Sequence, residues 1–275
     1  MGQPRNRPLN LPIRPNQRTM TGEGLKPPTH FHISAQNLDT ALRYQRAIAL
    51  FADLYRPDLS IVEVGSGSAG ITEFLEHPVT GVDVDFERTA ERRRGLLNQV
   101  PGAADHLPLL SASYDVVVSL DMLEHVPPAV RPLCLREMLR VLRPGGRCIL
   151  AFPADRSGER LDQRLNDAYR QVHGVAHPWI AEHIERGLPK TEEIVSTLKD
   201  IGEDSIRVTV RKHLWGPAWW HGVHRFPTVG GRNLPFLWRT PQGAMLLFRI
   251  VRHLNFRPAY RSILVIDKLR GTAMD

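Results

Sequence analysis

Short runs of consecutive apolar residues, each closed by glycine, an acid or proline, recur along the first half of the chain, at 60–64, 79–84, 114–119 and 147–152. A run that is apolar at nearly every position predicts a strand buried on both faces, as strands in parallel sheets are. Between these runs the apolar residues fall at helical spacing. Several helix-start residues from Ser34 to Asp39 precede Ala41, Leu42, Ile48, Ala49, Leu50 and Leu54. Residues 132–142 place Leu135, Met138, Leu139 and Leu142 on one side, a stripe suited to core packing. Further helices are predicted over 69–76, over the charged 86–94 segment with acids leading bases, from Pro178, and over 191–201 with Thr191 as its cap. Alternation at 205–212 and 262–268 predicts a sixth and a seventh strand. Strands alternating with helices in this way define an α/β fold.

The first run breaks into glycines: Ile61-Val62-Glu63-Val64-Gly65-Ser66-Gly67-Ser68-Ala69-Gly70. Glycines there let the chain turn tightly while a ligand lies against bare backbone, and a strand, a glycine turn and a helix make a nucleotide-sized site. The spacing Gly65-x-Gly67-x-x-Gly70 fits a nicotinamide dinucleotide or another adenosine ligand. Glu63, at the strand end, suits a cationic group of the ligand, held directly or through water; an anion there would repel a pyrophosphate.

From this point the sequence resembles the class I S-adenosylmethionine-dependent methyltransferases, over most of residues 34–212. Their first motif is an acid-x-Gly-x-Gly-x-Gly turn. Their second, an acid ending strand two, is matched by Val82-Asp83-Val84-Asp85, with Asp83 in the place of the ribose-binding carboxylate. Leu107-Pro108-Leu109 resembles the loop leading into strand four, Ser119-Leu120-Asp121-Met122-Leu123-Glu124-His125-Val126 the segment that leaves that strand beneath the sulfonium, and Leu142-Arg143-Pro144-Gly145-Gly146-Arg147 the turn into strand five. The resemblance implies a doubly wound, mostly parallel seven-stranded sheet. It also implies S-adenosylmethionine as cofactor, with S-adenosylhomocysteine as product. The implied cofactor residues are Glu63, Gly65, Ser66, Gly67, Gly70, Asp83, Val84, Asp105, His106 and Leu120. Two positions depart from the family pattern. Its third glycine falls on Ala69, with Gly70 one place later. The aspartate that meets the adenine amino group falls on Ala103, so Asp105 is its candidate substitute, beside His106 or Leu107.

At 275 residues with 42% apolar and 24% charged residues, the chain suits one large globular domain. Its two cysteines, Cys134 and Cys148, have no metal spacing and form no disulfide framework, which fits a reducing cytoplasm. Residues 1–30 carry Arg5, Arg7, Arg14, Arg18 and Lys26 among six prolines and read as a basic flexible arm with no secretory signal, ahead of a methyltransferase domain over 31–275. His30 and His32 belong to the loop before the first helix.

Substrate recognition is expected in two places. Residues 154–190 form a lid rich in polar and aromatic groups, among them Tyr169, His173, His177, Trp179, Glu182 and His183. A histidine oriented by a carboxylate can take the proton of a hydroxyl acceptor, so His173, His177 and His183 are base candidates, with His125 a fourth beside the cofactor. No sharp ligand spacing points to a metal. The second place is 213–261, between strands six and seven, too long for a structureless loop. From 205 to 266 there is no acid, yet there are ten lysines and arginines and four of the five tryptophans: Trp215, Trp219, Trp220 and Trp238. A helix over 243–256 mixes Leu246, Leu247, Phe248 and Ile250 with Arg249 and Arg252. Such a helix can lie on an anionic membrane, pack on its own core, or join a homodimer. Nucleic-acid binding through Trp219, Trp220, Arg225 and Arg232 has no motif behind it.

These features together point to methyl transfer from S-adenosylmethionine, chiefly to an oxygen of a small-molecule, glycan or lipid-linked acceptor. The protein would be cytoplasmic, with peripheral membrane contact through 213–261. A non-catalytic S-adenosylmethionine-binding protein and an NAD-dependent oxidoreductase are the alternatives.

Overall fold

The computed structural model describes residues 38–67, 70–86, 96–213, 240–251 and 259–270. The basic arm, Ser68, Ala69, the charged 87–95 segment and the four tryptophans of the insertion lie outside them. The elements run α1 (Leu38–Ala49), β1 (Ile61–Val64), β2 (Val79–Asp83), β3 (Leu97–Pro101), β4 (Tyr114–Leu120), α2 (Arg131–Val141), β5 (Leu142–Pro153), α3 (Asp155–His173), α4 (Pro178–Arg186), α5 (Thr191–Gly202), β6 (Ile206–His213), α6 (Pro241–Val251) and β7 (Arg261–Lys268).

The strands form one seven-stranded sheet in the order β3-β2-β1-β4-β5-β7-β6. β1 to β5 pair in parallel, and β7 enters antiparallel between β5 and β6. All residues of β1 and β4 are buried, as their mostly apolar runs require. Helices cover both faces. Leu38, Leu42 and Phe51 at α1, with Ala244 and Phe248 of α6, pack on one face. Cys134, Leu135 and Met138 of α2, with Ile194 and Leu198 of α5, pack on the other. Both cysteines are buried and free.

Two expectations change, and a further strand is placed. Where a helix was expected over 69–76 the structure has a 3-10 turn, Gly70–Glu73; Glu63 takes the Ile71 N–H at 2.6 Å, and Pro78 follows too soon for an α-helix to propagate. Thr191 does not cap α5. Lys190 holds that position, and the Asp155 carboxylate instead binds the Thr191 N–H (2.8 Å) and Oγ1 (2.7 Å) from α3. β3, whose Asn98 and Gln99 give it no apolar run, joins as the edge strand beside β2.

The order of neighbours reverses between β1 and β4, both of which run parallel to their partners. A crevice therefore opens beyond the carboxyl ends of these two strands, and ligands of open α/β sheets lie in such crevices.

Candidate functional site

The turn after β1 uses glycine where an L side chain would be strained. Gly65, Gly67 and Gly70 have φ of +80°, +54° and +53°. The Gly65 N–H donates to the Val82 carbonyl (2.8 Å) and the Gly67 N–H to Asp83 Oδ2 (2.8 Å), tying the turn to the end of β2. A Cβ on Gly67 would meet nothing within 4 Å, whereas one on Gly70 would overlap Glu63 Oε2. One glycine therefore leaves open space for a ligand, and the other lets the turn close over a carboxylate. Gly67→Ala is expected to weaken cofactor binding by tenfold or more and to cost only the left-handed strain, about 1 kcal/mol, in stability. Gly70→Ala is expected to destabilise the fold by about 3 kcal/mol, through overlap and left-handed strain. Calorimetric titration and thermal unfolding separate the two effects.

Glu63 is fully buried beneath this turn and is not among the residues lining either cavity over it. Tyr44 Oη donates to Oε1 at 2.9 Å and the Ile71 N–H to Oε2, so the carboxyl braces the turn from below. Burial pushes it up to about 7, against the opposing pull of these two donors and Arg43. The unfolded carboxyl ionises near pH 4.5, so the stability that its neutral form contributes is complete below that value. It is lost as pH rises through 7, about 3 kcal/mol in all. Glu63→Gln is therefore expected to gain stability over the wild type between pH 5 and pH 8 in denaturant titrations of the cofactor-free protein. A difference independent of pH would contradict this.

Two cavities meet over the glycine turn, sharing Gly65, Asp83, Asp121 and His125. The smaller, about 380 Å³, is a largely apolar slot of Val84, Ala103, Ala104, Met122, Val126, Pro127 and Val130 with Asp105 at its edge. The larger, about 550 Å³, runs from Ser66, Gly67 and Leu120 to the lid residues Leu165, His177, Trp179, Ile180 and His183. Gly70 and His106 line neither. His106 instead bridges to Ala103, and the Leu107 N–H donates to Glu137 Oε2 at 2.8 Å.

The floor of the larger cavity is charged. Asp121 follows β4 with φ +51° and is gripped by Arg261 from β7, at 2.6–3.0 Å, and by Arg43 from α1. Burial alone would raise its pKa, but the two guanidiniums hold it well below the usual carboxylate range. Beside it Glu124 is only 1% exposed, and neither of its oxygens has a partner on another described residue. Burial, and then Asp121, push the Glu124 carboxyl well up.

The histidines separate into distinct places. His173, at the end of α3, packs its ring at a tilt against Tyr169, 4.2 Å between centroids, and does not line the cavity. His177 lines it but caps α4, its Nδ1 accepting the Ile180 N–H at 3.4 Å. His183 Nδ1 lies 3.0 Å from Asp162 Oδ2, and His125 Nδ1 2.7 Å from Glu182 Oε2. Glu182 thus serves His125 rather than its helix neighbour His183. Burial lowers the His125 pKa, against the pull of Glu182. Arg43, Asp121, Glu124, Asp162, Tyr260 and Arg261 had no assigned role in the sequence reading. The pairing of Asp121 and Glu124 in one four-residue segment was the available signal for two of them. The others reach the site from α1, α3 and the start of β7.

Residues 62–150 match the family model of a methyltransferase domain. The 2-methyl-6-phytyl-1,4-hydroquinone methyltransferase 1 of Oryza sativa subsp. japonica is 26% identical over 189 residues, covering 66% of this chain and 50% of that protein. The demethylmenaquinone methyltransferase of Beutenbergia cavernae is 38% identical over 103 residues, 35% of this chain and 41% of that protein. The chain spans about half the length of the curated relatives it matches. Among solved structures, the plantazolicin methyltransferase BpumL in complex with SAH superposes with a TM-score of 0.54 at 13% identity, over 86% of both chains, and shares the fold. With its sheet order and glycine turn, the chain carries a methyltransferase domain over residues 62–150 and has the fold of the class I S-adenosylmethionine-dependent methyltransferases.

The residues fit that family's cofactor, S-adenosylmethionine. Bare backbone at Gly67 faces open space, and Asp83 stands where an apolar, base-sized slot meets a polar cavity. A carboxylate thus stands between two adjoining compartments.

Proposed function

We propose that this protein transfers a methyl group from S-adenosylmethionine to an oxygen of a lipid-linked acceptor, a reduced quinone or comparable hydroxylated ring. The observation that carries this reading is the larger cavity, which joins the Gly67 backbone to the His125, His183 and Glu124 cluster under the α3–α4 lid. In this reading Asp83 binds the ribose hydroxyls, Val84 and Asp105 flank the adenine, and Gly65 and Ser66 seat the methionine portion. The sulfonium is already a reactive donor. The protein's task is to align the acceptor oxygen with the methyl group, exclude water and lower the cost of losing the acceptor's proton, which the imidazole and carboxylate cluster does.

The relatives' names, which include a phytyl hydroquinone and a menaquinone precursor, support a lipid-tailed acceptor. So does α6, where Leu246 and Ile250 are exposed on either side of Arg249 while Ala244 and Phe248 pack into the core. That outer face suits contact with an anionic bilayer. No helix among the described residues is long and apolar enough to cross a membrane. The test is incubation with methyl-labelled S-adenosylmethionine and reduced demethylmenaquinone in anionic vesicles, beside a tail-less hydroquinone. Label is expected on the lipid-tailed acceptor at the higher rate. Cofactor binding without S-adenosylhomocysteine formation, even with a lipid extract of the source cells, would overturn the reading.

A further inference from the structure

The two carboxylate-bound histidines face each other. His125 leaves the turn after β4 and His183 sits on α4, yet their Nε2 atoms are 3.5 Å apart. An ionised carboxylate only accepts hydrogen bonds, so Glu182 and Asp162 each hold the imidazole proton on Nδ1 and leave Nε2 with an outward lone pair. Asp162 is itself fixed, because Tyr260 Oη donates to its other oxygen at 2.6 Å. Glu124 is the third group, almost wholly buried and with no partner on another described residue. The donor atoms of Glu124, His125 and His183 all lie within 4.8 Å of one another. Three atoms able to ligate a metal thus converge, two of them on buried residues, and the Glu124 oxygens bond no other described residue.

We propose that Glu124, His125 and His183 form a binding site for a divalent transition-metal ion of the zinc or manganese type, with an open coordination position toward the larger cavity. Tetrahedral bonds of about 2.0–2.1 Å to two imidazoles would set their nitrogens ~3.4 Å apart, close to the separation found. Histidine ligands whose second nitrogen is held by a carboxylate are the usual outer shell of such sites. Two imidazoles disfavour magnesium and calcium, which take oxygen ligands. Arginines fix the ligands from behind. Arg186 binds the His125 carbonyl and, at 2.7 Å, Glu182, while Arg131 bonds the carbonyls of Leu123 and Val126 (both 3.1 Å) and Gly187 (2.6 Å). The lid and the turn after β4 are thereby joined at the ligands.

The role of the ion rests on the function proposed above; its binding does not. In that role the open position takes the acceptor hydroxyl, whose proton passes to water. The oxygen then forms the O–CH3 bond as the S–CH3 bond breaks, its electron pair staying on sulfur in neutral S-adenosylhomocysteine.

The test is calorimetric titration of the chelator-treated full chain with zinc chloride and manganese chloride. One ion per chain is expected at micromolar affinity or tighter for one of the two metals. Glu124→Gln, which keeps the shape, should weaken it at least tenfold, as should His183→Ala, and Asp162→Asn, which acts through His183, about tenfold. Cobalt loaded in place of the ion should give visible d–d bands that Glu124→Gln abolishes. Circular dichroism on each variant separates lost ligation from lost fold. No ion bound at 100 micromolar metal, or equal affinity in a folded Glu124→Gln variant, would overturn the site. Titration of the same samples with S-adenosylmethionine keeps the claims apart: ion binding without cofactor binding would sink the methyl-transfer reading and leave the metal site standing.

Discussion

Asp121→Ala is expected to lower stability by about 3–5 kcal/mol, the cost of taking the carboxylate out of a largely buried ion pair. The effect follows from geometry. Arg261 meets both Asp121 oxygens, its side chain is 7% exposed, and Arg43 closes on the same carboxylate from α1. Removing Asp121 leaves two guanidiniums crowded at the floor of the larger cavity, between the ends of β4 and β7. For a chain of 275 residues the loss corresponds to a fall in melting temperature of roughly 5–9 °C. Asp121→Asn is the informative companion, since asparagine tolerates the left-handed backbone found at this position and keeps one acceptor oxygen. If it loses nearly as much as alanine, charge pairing rather than backbone conformation is the cause. A drop below 1 kcal/mol in both variants would show that the arginines find other partners.

Asp83→Ala is expected to reduce S-adenosylmethionine affinity about a hundredfold, from the loss of two charge-assisted hydrogen bonds to ribose worth roughly 1.5 kcal/mol each. Asp83 also accepts the Gly67 N–H at 2.8 Å and the Asp85 N–H at 3.1 Å, so part of the loss comes from a looser turn. The residue lies at the rim of both cavities, so the fold should lose only about 1 kcal/mol. Unchanged affinity in calorimetric titration would remove the ribose assignment.

Much of the fold is legible in the chain because burial on both faces leaves few polar positions to break the pattern. β1 and β4 read as strands from their apolar runs, and Pro178 announces the start of α4 through its fixed backbone angle. β3 is not legible, because an edge strand satisfies half its environment with solvent and tolerates Asn98 and Gln99. The site divides in the same way. Gly65, Gly67 and Asp83 are local to one turn and its neighbouring strand, so their spacing carries the information. The groups around Asp121, Glu124 and His183 are brought together from α1, α3, α4 and the start of β7, and no local spacing encodes that convergence. Glu63 shows a further limit. Its place in the motif is plain, but only the fold shows that its carboxyl lies under the turn and engages Tyr44 and the Ile71 N–H.

The sheet order also bears on the choice of nucleotide. A dinucleotide fold continues with a parallel sixth strand in the order 3-2-1-4-5-6, whereas this chain inserts an antiparallel β7 between β5 and β6. The most direct test of the central claim is therefore calorimetric titration of the purified protein with S-adenosylmethionine, S-adenosylhomocysteine and NAD in parallel. The expected result is micromolar binding of the first two, worth about 8 kcal/mol, and no heat from NAD. Binding of NAD alone would contradict it and make the 65–70 turn a dinucleotide site.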